Sequence, residues 1–124
     1  MKNVIIYTRF KKPNSVKQEQ VKSELFQFCK NNNLNVVATF EEIGHGKNFN
    51  RYKWKLVMNF LKNNYILIDC IVVKNYNHLS NDFHLTTKLI KKLKPLRIGV
   101  FSTEQTFQYN DHIFKLYTKT GTGN

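Results

Sequence analysis

Val4-Ile5-Ile6-Tyr7-Thr8-Arg9-Phe10-Lys11 decides how this chain reads. The short unbroken apolar run Val4-Ile5-Ile6 is the pattern of a buried strand, expected over 2–7. It runs into Tyr-x-Arg, so the strand delivers an arginine to its carboxyl end. Lys11 stands two residues after that arginine, Lys12 follows it, and Pro13-Asn14-Ser15 marks a turn and a helix start.

Working outward, Ser15 is the expected N-cap, with Gln18 three residues on as capping-box partner. Val21, Leu25, Phe28 and Cys29 recur at helical spacing, and Asn31-Asn32-Asn33 ends that helix. A second strand is expected over 35–40, then a loop with Gly44 and Gly46. A second helix follows over 51–63, with Trp54, Val57, Met58 and Leu61 on one stripe. A third strand (69–74) contains Cys70-Ile71-Val72-Val73. A loop over 75–81 leads to a third helix over 82–92, with Leu85, Leu89 and Leu93 along it. Lys94-Pro95 breaks it before a fourth strand at 96–101. Strand and helix alternating through short connections predict an α/β fold: a mostly parallel sheet of four to five strands with helices on both faces. The working site of such a sheet lies at the carboxyl ends of its strands.

With 124 residues the chain is one domain in size, and 41% apolar and 14% aromatic residues supply a core. No apolar run reaches the ~20 residues of a membrane span, and no signal peptide is visible, so a cytoplasmic protein without membrane contact is expected. Cys29 and Cys70 fall in apolar segments and read as buried free thiols. Neither Cys-x-x-Cys nor His-x-x-x-His occurs. The histidines are scattered, and no metal or cofactor is expected. The net charge is +12, from 20 basic and 8 acidic residues. Such a bias favours polyanions, nucleic acid first among them, without implying sequence specificity.

Tyr7-Thr8-Arg9 resembles the opening of a serine recombinase (resolvase/invertase) catalytic domain, and the resemblance continues in order over about residues 3–105. Gln20 stands where the family's first helix carries a glutamine. Residues Gly44-His45-Gly46-Lys47, running on to Arg51, resemble the family's Ser-Gly-Lys loop, which ends in an arginine before a helix. Asn77-His78-Leu79-Ser80-Asn81 resembles Asp-Arg-Leu-Ser-Arg. The resemblance implies DNA cleavage by a serine that becomes covalently linked to a phosphate, with arginines stabilising the transferring group.

At the positions that carry this chemistry the chain differs. The nucleophile position is Lys11, whose ammonium has no lone pair to attack with. The loop serine is His45, and the last motif reads Asn77, His78 and Asn81. Arg9 and Arg51 are what remain of the arginine cluster. Strand cleavage is therefore not expected. Arg9, Lys11, Lys12, Lys47 and Arg51 are the candidate phosphate-binding set, and the helix start after Ser15 adds backbone N–H groups. Residues 88–97 add a basic run: Lys88, Lys91, Lys92, Lys94 and Arg97.

The expected organisation is a resolvase-like domain over 1–105, then a short remnant of a dimerisation helix and a polar tail over 106–124, with no room for a helix-turn-helix unit. The expected function is a recombination-related protein that binds DNA weakly through its phosphates, as a homo-oligomer or with a full-length recombinase. Two alternatives stay open. One is an active strand-exchange enzyme with a divergent site, with Ser15 in the serine's place. The other is an anion-binding or interaction module unrelated to DNA.

Overall fold

The computed structural model describes residues 1–44 and 51–104. Four strands and three helices alternate: β1 (Lys2–Phe10), α1 (Ser15–Asn31), β2 (Leu34–Ile43), α2 (Tyr52–Asn64), β3 (Cys70–Val73), α3 (Phe83–Leu93) and β4 (Gly99–Ser102). The sheet order is β2-β1-β3-β4, and every described pairing is parallel.

The element order matches the expectation, and the strand ends are where it differs. β1 runs on through Arg9 to Phe10, and β2 through Glu42 to Ile43. Thr8–Phe10 pair with Glu41–Ile43, so backbone bonding holds these polar residues in strand where periodicity alone does not. The loop after β3 contains a 3-10 turn, Tyr76–His78. The remnant helix expected over 106–124 lies outside the described residues.

Two apolar clusters sandwich the sheet. On one face Ile5, Tyr7, Ile71, Val73 and Val100 pack with Trp54, Val57 and Leu61 of α2 and Leu89 and Leu93 of α3. On the other, Val4, Ile6, Phe10 and Val72 pack with Val21, Leu25 and Cys29 of α1. Alternate residues of β1 thus serve opposite faces, which is why its run is continuous. Val4, Ile5 and Tyr7 are fully buried. Both cysteines are free, Cys29 buried and Cys70 half-buried. Burial pushes the Cys29 thiol up to about 11.

Asn14, not Ser15, is the N-cap of α1. Its side-chain oxygen accepts from Lys17 N at 3.1 Å, while Gln18 Oε1 accepts from Asn14 N at 2.7 Å. The reciprocal arrangement resembles a capping box, with the glutamine four rather than three residues after the cap. Asparagine and serine cap about equally well, so the sequence leaves this choice open.

Candidate functional site

In the order β2-β1-β3-β4 the chain's direction of winding reverses between β1 and β3. In sheets of this kind the loops leaving those two strands diverge and form a crevice at their carboxyl ends. The residues flanking it are Arg9 to Lys12, the end of β2 at Gly44, the start of α2, and the turn from Asn75 to Asp82.

Arg9 sits at its centre and is only 6% exposed. Nη1 donates to the Gly44 carbonyl at 2.8 Å; Nη2 donates to the Asn77 carbonyl and, at 3.1 Å, to Asn81 Oδ1. One guanidinium therefore ties the end of β2 to the turn after β3 and the approach to α3. Arg9 Nε is buried with no hydrogen-bond partner among the described residues. Burial first, and then the charge of Arg51, lowers the Arg9 pKa from its ordinary value.

Arg51 precedes the first turn of α2. Its Nη2 donates to the Leu79 carbonyl, and its guanidinium lies 5.9 Å from the centre of the Tyr7 ring. Arg9 and Arg51 converge on the same turn and donate to its carbonyls.

His78 faces β1. The backbone N–H of Arg9 donates to its Nδ1 at 3.0 Å, and Phe10 meets the ring edge to face at 5.7 Å. The imidazole thus continues the β1 ladder past the last β3 pairing at Ile6↔Val72. Accepting at Nδ1 requires the tautomer protonated at Nε2. Burial, then the charges of Arg9, Lys74 and Lys17, push His78 down to about 4. Asn77 contributes its carbonyl and Asn81 its side-chain amide. The turn itself is held by Asn75 Oδ1, which accepts from Asn77 N at 2.8 Å.

Glu42 was not anticipated. It is 6% exposed and serves α2, which has no capping side chain at Arg51. Oε1 accepts from Trp54 N at 3.0 Å and from the Tyr7 hydroxyl at 3.1 Å; Oε2 accepts from Lys53 N at 3.2 Å. A carboxylate here satisfies orphan N–H groups and complements the helix dipole. Burial raises the Tyr7 pKa, keeping the phenol a donor. A glutamate on the inward-facing alternation of β2 is the signal that could have identified it. Gly44, expected as a loop glycine, closes the end of the β1–β2 pairing: its N–H donates to the Phe10 carbonyl at 2.8 Å, and its φ of +151° suits glycine.

Lys11 and Lys12 are exposed where β1 ends. Gln20 is exposed on α1, and its neighbour Gln18 reaches Glu41 Oε2 at 2.9 Å. His45 and Lys47 lie outside the described residues. The basic residues 88–97 are exposed toward the carboxyl end of α3, away from the crevice. Among the described residues no cluster of three His, Cys, Asp or Glu side chains could hold a metal ion. No described helix is long and apolar enough to cross a membrane.

Comparison with known proteins matches this arrangement to one family. Residues 4–120 match the family described as "Resolvase, N terminal domain", so the chain belongs to it. Among solved structures, the N-terminal catalytic domain of TP901-1 integrase aligns at 18% identity over 97% of this chain and 94% of that one, with a TM-score of 0.76. The catalytic domain of ISC1926 TnpA, an IS607-like serine recombinase, aligns at 12% identity over 92% and 77%, with a TM-score of 0.73. A resolvase family site-specific recombinase from Streptococcus pneumoniae aligns at 13% identity over 99% and 88%, with a TM-score of 0.72. No curated protein sequence matches the chain significantly. At these identities the solved structures establish the resolvase catalytic-domain fold.

Proposed function

We propose that this chain is a resolvase-family protein that contacts DNA phosphates through its strand-end crevice and does not cut DNA. The observation that carries the reading is Lys11, a lysine where the family has its nucleophile, exposed at the end of β1. The remaining machinery supports it. Phosphoryl transfer needs an oxygen nucleophile and donors aimed at the charge that develops. Three donor contacts from Arg9 go to Gly44, Asn77 and Asn81 instead. His78 stands where the family has an arginine, and its neutral ring accepts from β1. One preorganised donor is worth roughly 10²–10³-fold in rate. Losing the nucleophile and two arginines removes most of the acceleration.

Lys11, Lys12, Lys17 and Lys53, all exposed and all close in sequence to the carboxyl ends of β1 and β2, suit an electrostatic, sequence-blind contact with a phosphate backbone. A full-length recombinase is a fitting partner for such a chain, supplying the catalysis that this one lacks. The test is incubation of the purified protein with supercoiled plasmid, read on denaturing gels, together with DNA affinity across a salt series. The expected result is no nicked product, no covalent adduct, and an affinity that falls with salt. An adduct would overturn the inactive reading, and an affinity indifferent to salt the phosphate reading.

A second reading draws on one observation. With Asn14 capping α1, Ser15 is not occupied by capping and stays exposed in the first turn. A divergent enzyme using Ser15 would form an adduct that Ser15→Ala abolishes.

A further inference from the structure

Tyr52 and Phe83 are the two most exposed aromatic rings among the described residues, at 69% and 70%. Each is the first residue of its helix, α2 and α3 respectively. Both helices begin at the carboxyl end of the sheet and pack on the same face, so both rings stand at that end. The two helix starts are also tied together, because Arg51, just before Tyr52, donates to Leu79, three residues before the α3 cap Asp82.

Neither ring is needed by the fold. The apolar cluster beneath them is closed by Trp54, Val57 and Leu89, and neither Tyr52 nor Phe83 belongs to it. Leaving two aromatic rings in water costs solvation free energy, which a ligand with flat apolar faces would recover. Cations stand at the same end of the sheet. Lys53 Nζ lies 6.0 Å from the Tyr52 ring centre, and Lys11 and Lys12 end the neighbouring β1. Two of the acidic groups at this end are engaged within the fold, and a third, Glu41, accepts from Gln18 through Oε2 and lines a cavity with Lys53. Asp82 Oδ1 accepts from His84 N and Leu85 N, and Glu42 is buried against α2.

Exposed rings set among lysines match the chemistry of single-stranded nucleic acid, whose bases stack while its phosphates meet ammonium groups. Paired duplex bases offer no free face to such rings. We propose that this rim binds unpaired DNA, with Tyr52 and Phe83 stacking on successive bases and Lys11, Lys12 and Lys53 holding the phosphates between them. The inference rests on the reading of the crevice as a DNA contact, and specifies which form of DNA it takes.

Fluorescence anisotropy with three probes separates the two: a short oligothymidylate, an abasic strand of equal length, and a duplex of equal length. The oligothymidylate is expected to bind roughly 10-fold or more tighter than the abasic strand. Tyr52→Ala and Phe83→Ala should each weaken oligothymidylate binding roughly 5- to 100-fold and leave abasic binding unchanged. Tyr52→Phe should retain affinity. Both rings being exposed, the variants should melt like the parent. Equal binding of oligothymidylate and abasic strand, untouched by either alanine, overturns the stacking and leaves phosphate contact standing. Tighter binding of the duplex overturns the preference for unpaired DNA. No binding of any probe overturns both readings.

Discussion

At the centre of the crevice Arg9, Glu42 and His78 are at least half-buried, and each bonds to backbone groups of a different element. At its rim Lys11, Lys12, Tyr52, Lys53 and Phe83 are exposed. The two regions are a few residues apart in the chain and share a basic character, yet their charges do different work. A buried charge is tolerated only with partners, so the centre is built into the fold. An exposed lysine contributes little to stability and stays available to a ligand. Substitutions at the centre should therefore be read in melting, and substitutions at the rim in binding.

The largest effect is expected at Arg9. Arg9→Ala removes the donor for two carbonyls and one side-chain amide, at roughly 1.5–3 kcal/mol for a hydrogen bond made by a charged group and less where the acceptor is exposed, as at Asn77 and Asn81. Relief of the guanidinium's own desolvation offsets part of this, leaving a loss of about 3 kcal/mol, or a fall in Tm of ~10 °C or more. Calorimetry checks it. A variant that melts like the parent would mean that the centre is not structural.

His78 gives a prediction in pH. Its pKa is about 4 in the folded protein, below its ordinary 6.5. The folded state prefers the neutral ring, so between those values the unfolded chain binds more protons and stability rises with pH. The contribution is fully present above about 6.5 and is lost as pH falls toward 4. A total on the order of 2–3 kcal/mol is expected from that shift. The physical cause is visible in the contact: a protonated Nδ1 cannot accept from Arg9 N–H. Urea melts at pH 7 and pH 4.5 should differ by most of this amount, and by much less in His78→Asn. A parent whose stability is flat across this range would break the assignment.

At the rim the expectation reverses. Lys11→Ala and Lys12→Ala should each change stability by less than about 0.5 kcal/mol. Each should lower the salt dependence of DNA affinity by roughly one phosphate contact. If either variant loses several kcal/mol instead, the boundary between centre and rim is misplaced.

How much of this was legible in sequence follows the same boundary. The element order and both apolar faces could be read from Val4-Ile5-Ile6 and the helical stripes, because burial leaves a periodic mark. The convergence of Arg9, Arg51 and the Asn77–Asn81 segment was legible through their resemblance to a known set of motifs. What those residues bond to was not. The partners of Arg9 are two backbone carbonyls and an amide, and carbonyls carry no sequence signature. Glu42 was missed because it caps a helix from a neighbouring strand, whereas capping rules look along the chain. The extension of β1 to Phe10 was missed because backbone pairing with β2, rather than side-chain alternation, holds it.

The smallest expected effect is the sharpest test of what the centre has become. Lys11→Ser returns a hydroxyl to the position that the resemblance assigns to the nucleophile, without disturbing the bonds of Arg9. If the chain lacked only its nucleophile, this change would restore covalent attachment to DNA. Asn77, His78 and Asn81 argue otherwise. An attacking serine needs fixed positive donors on the transferring phosphoryl group. On the proposed reading, a neutral histidine bonded to β1 and an amide bonded to Arg9 occupy two of those places. Lys11→Ser should therefore form no adduct and release no cleaved strand on denaturing gels. Adding arginines at positions 78 and 81 is the change that could expose activity, at a cost in stability, since it would break both bonds. An adduct from Lys11→Ser alone would show that Arg9 and Arg51 suffice, and would move the centre from scaffold back to catalytic machinery.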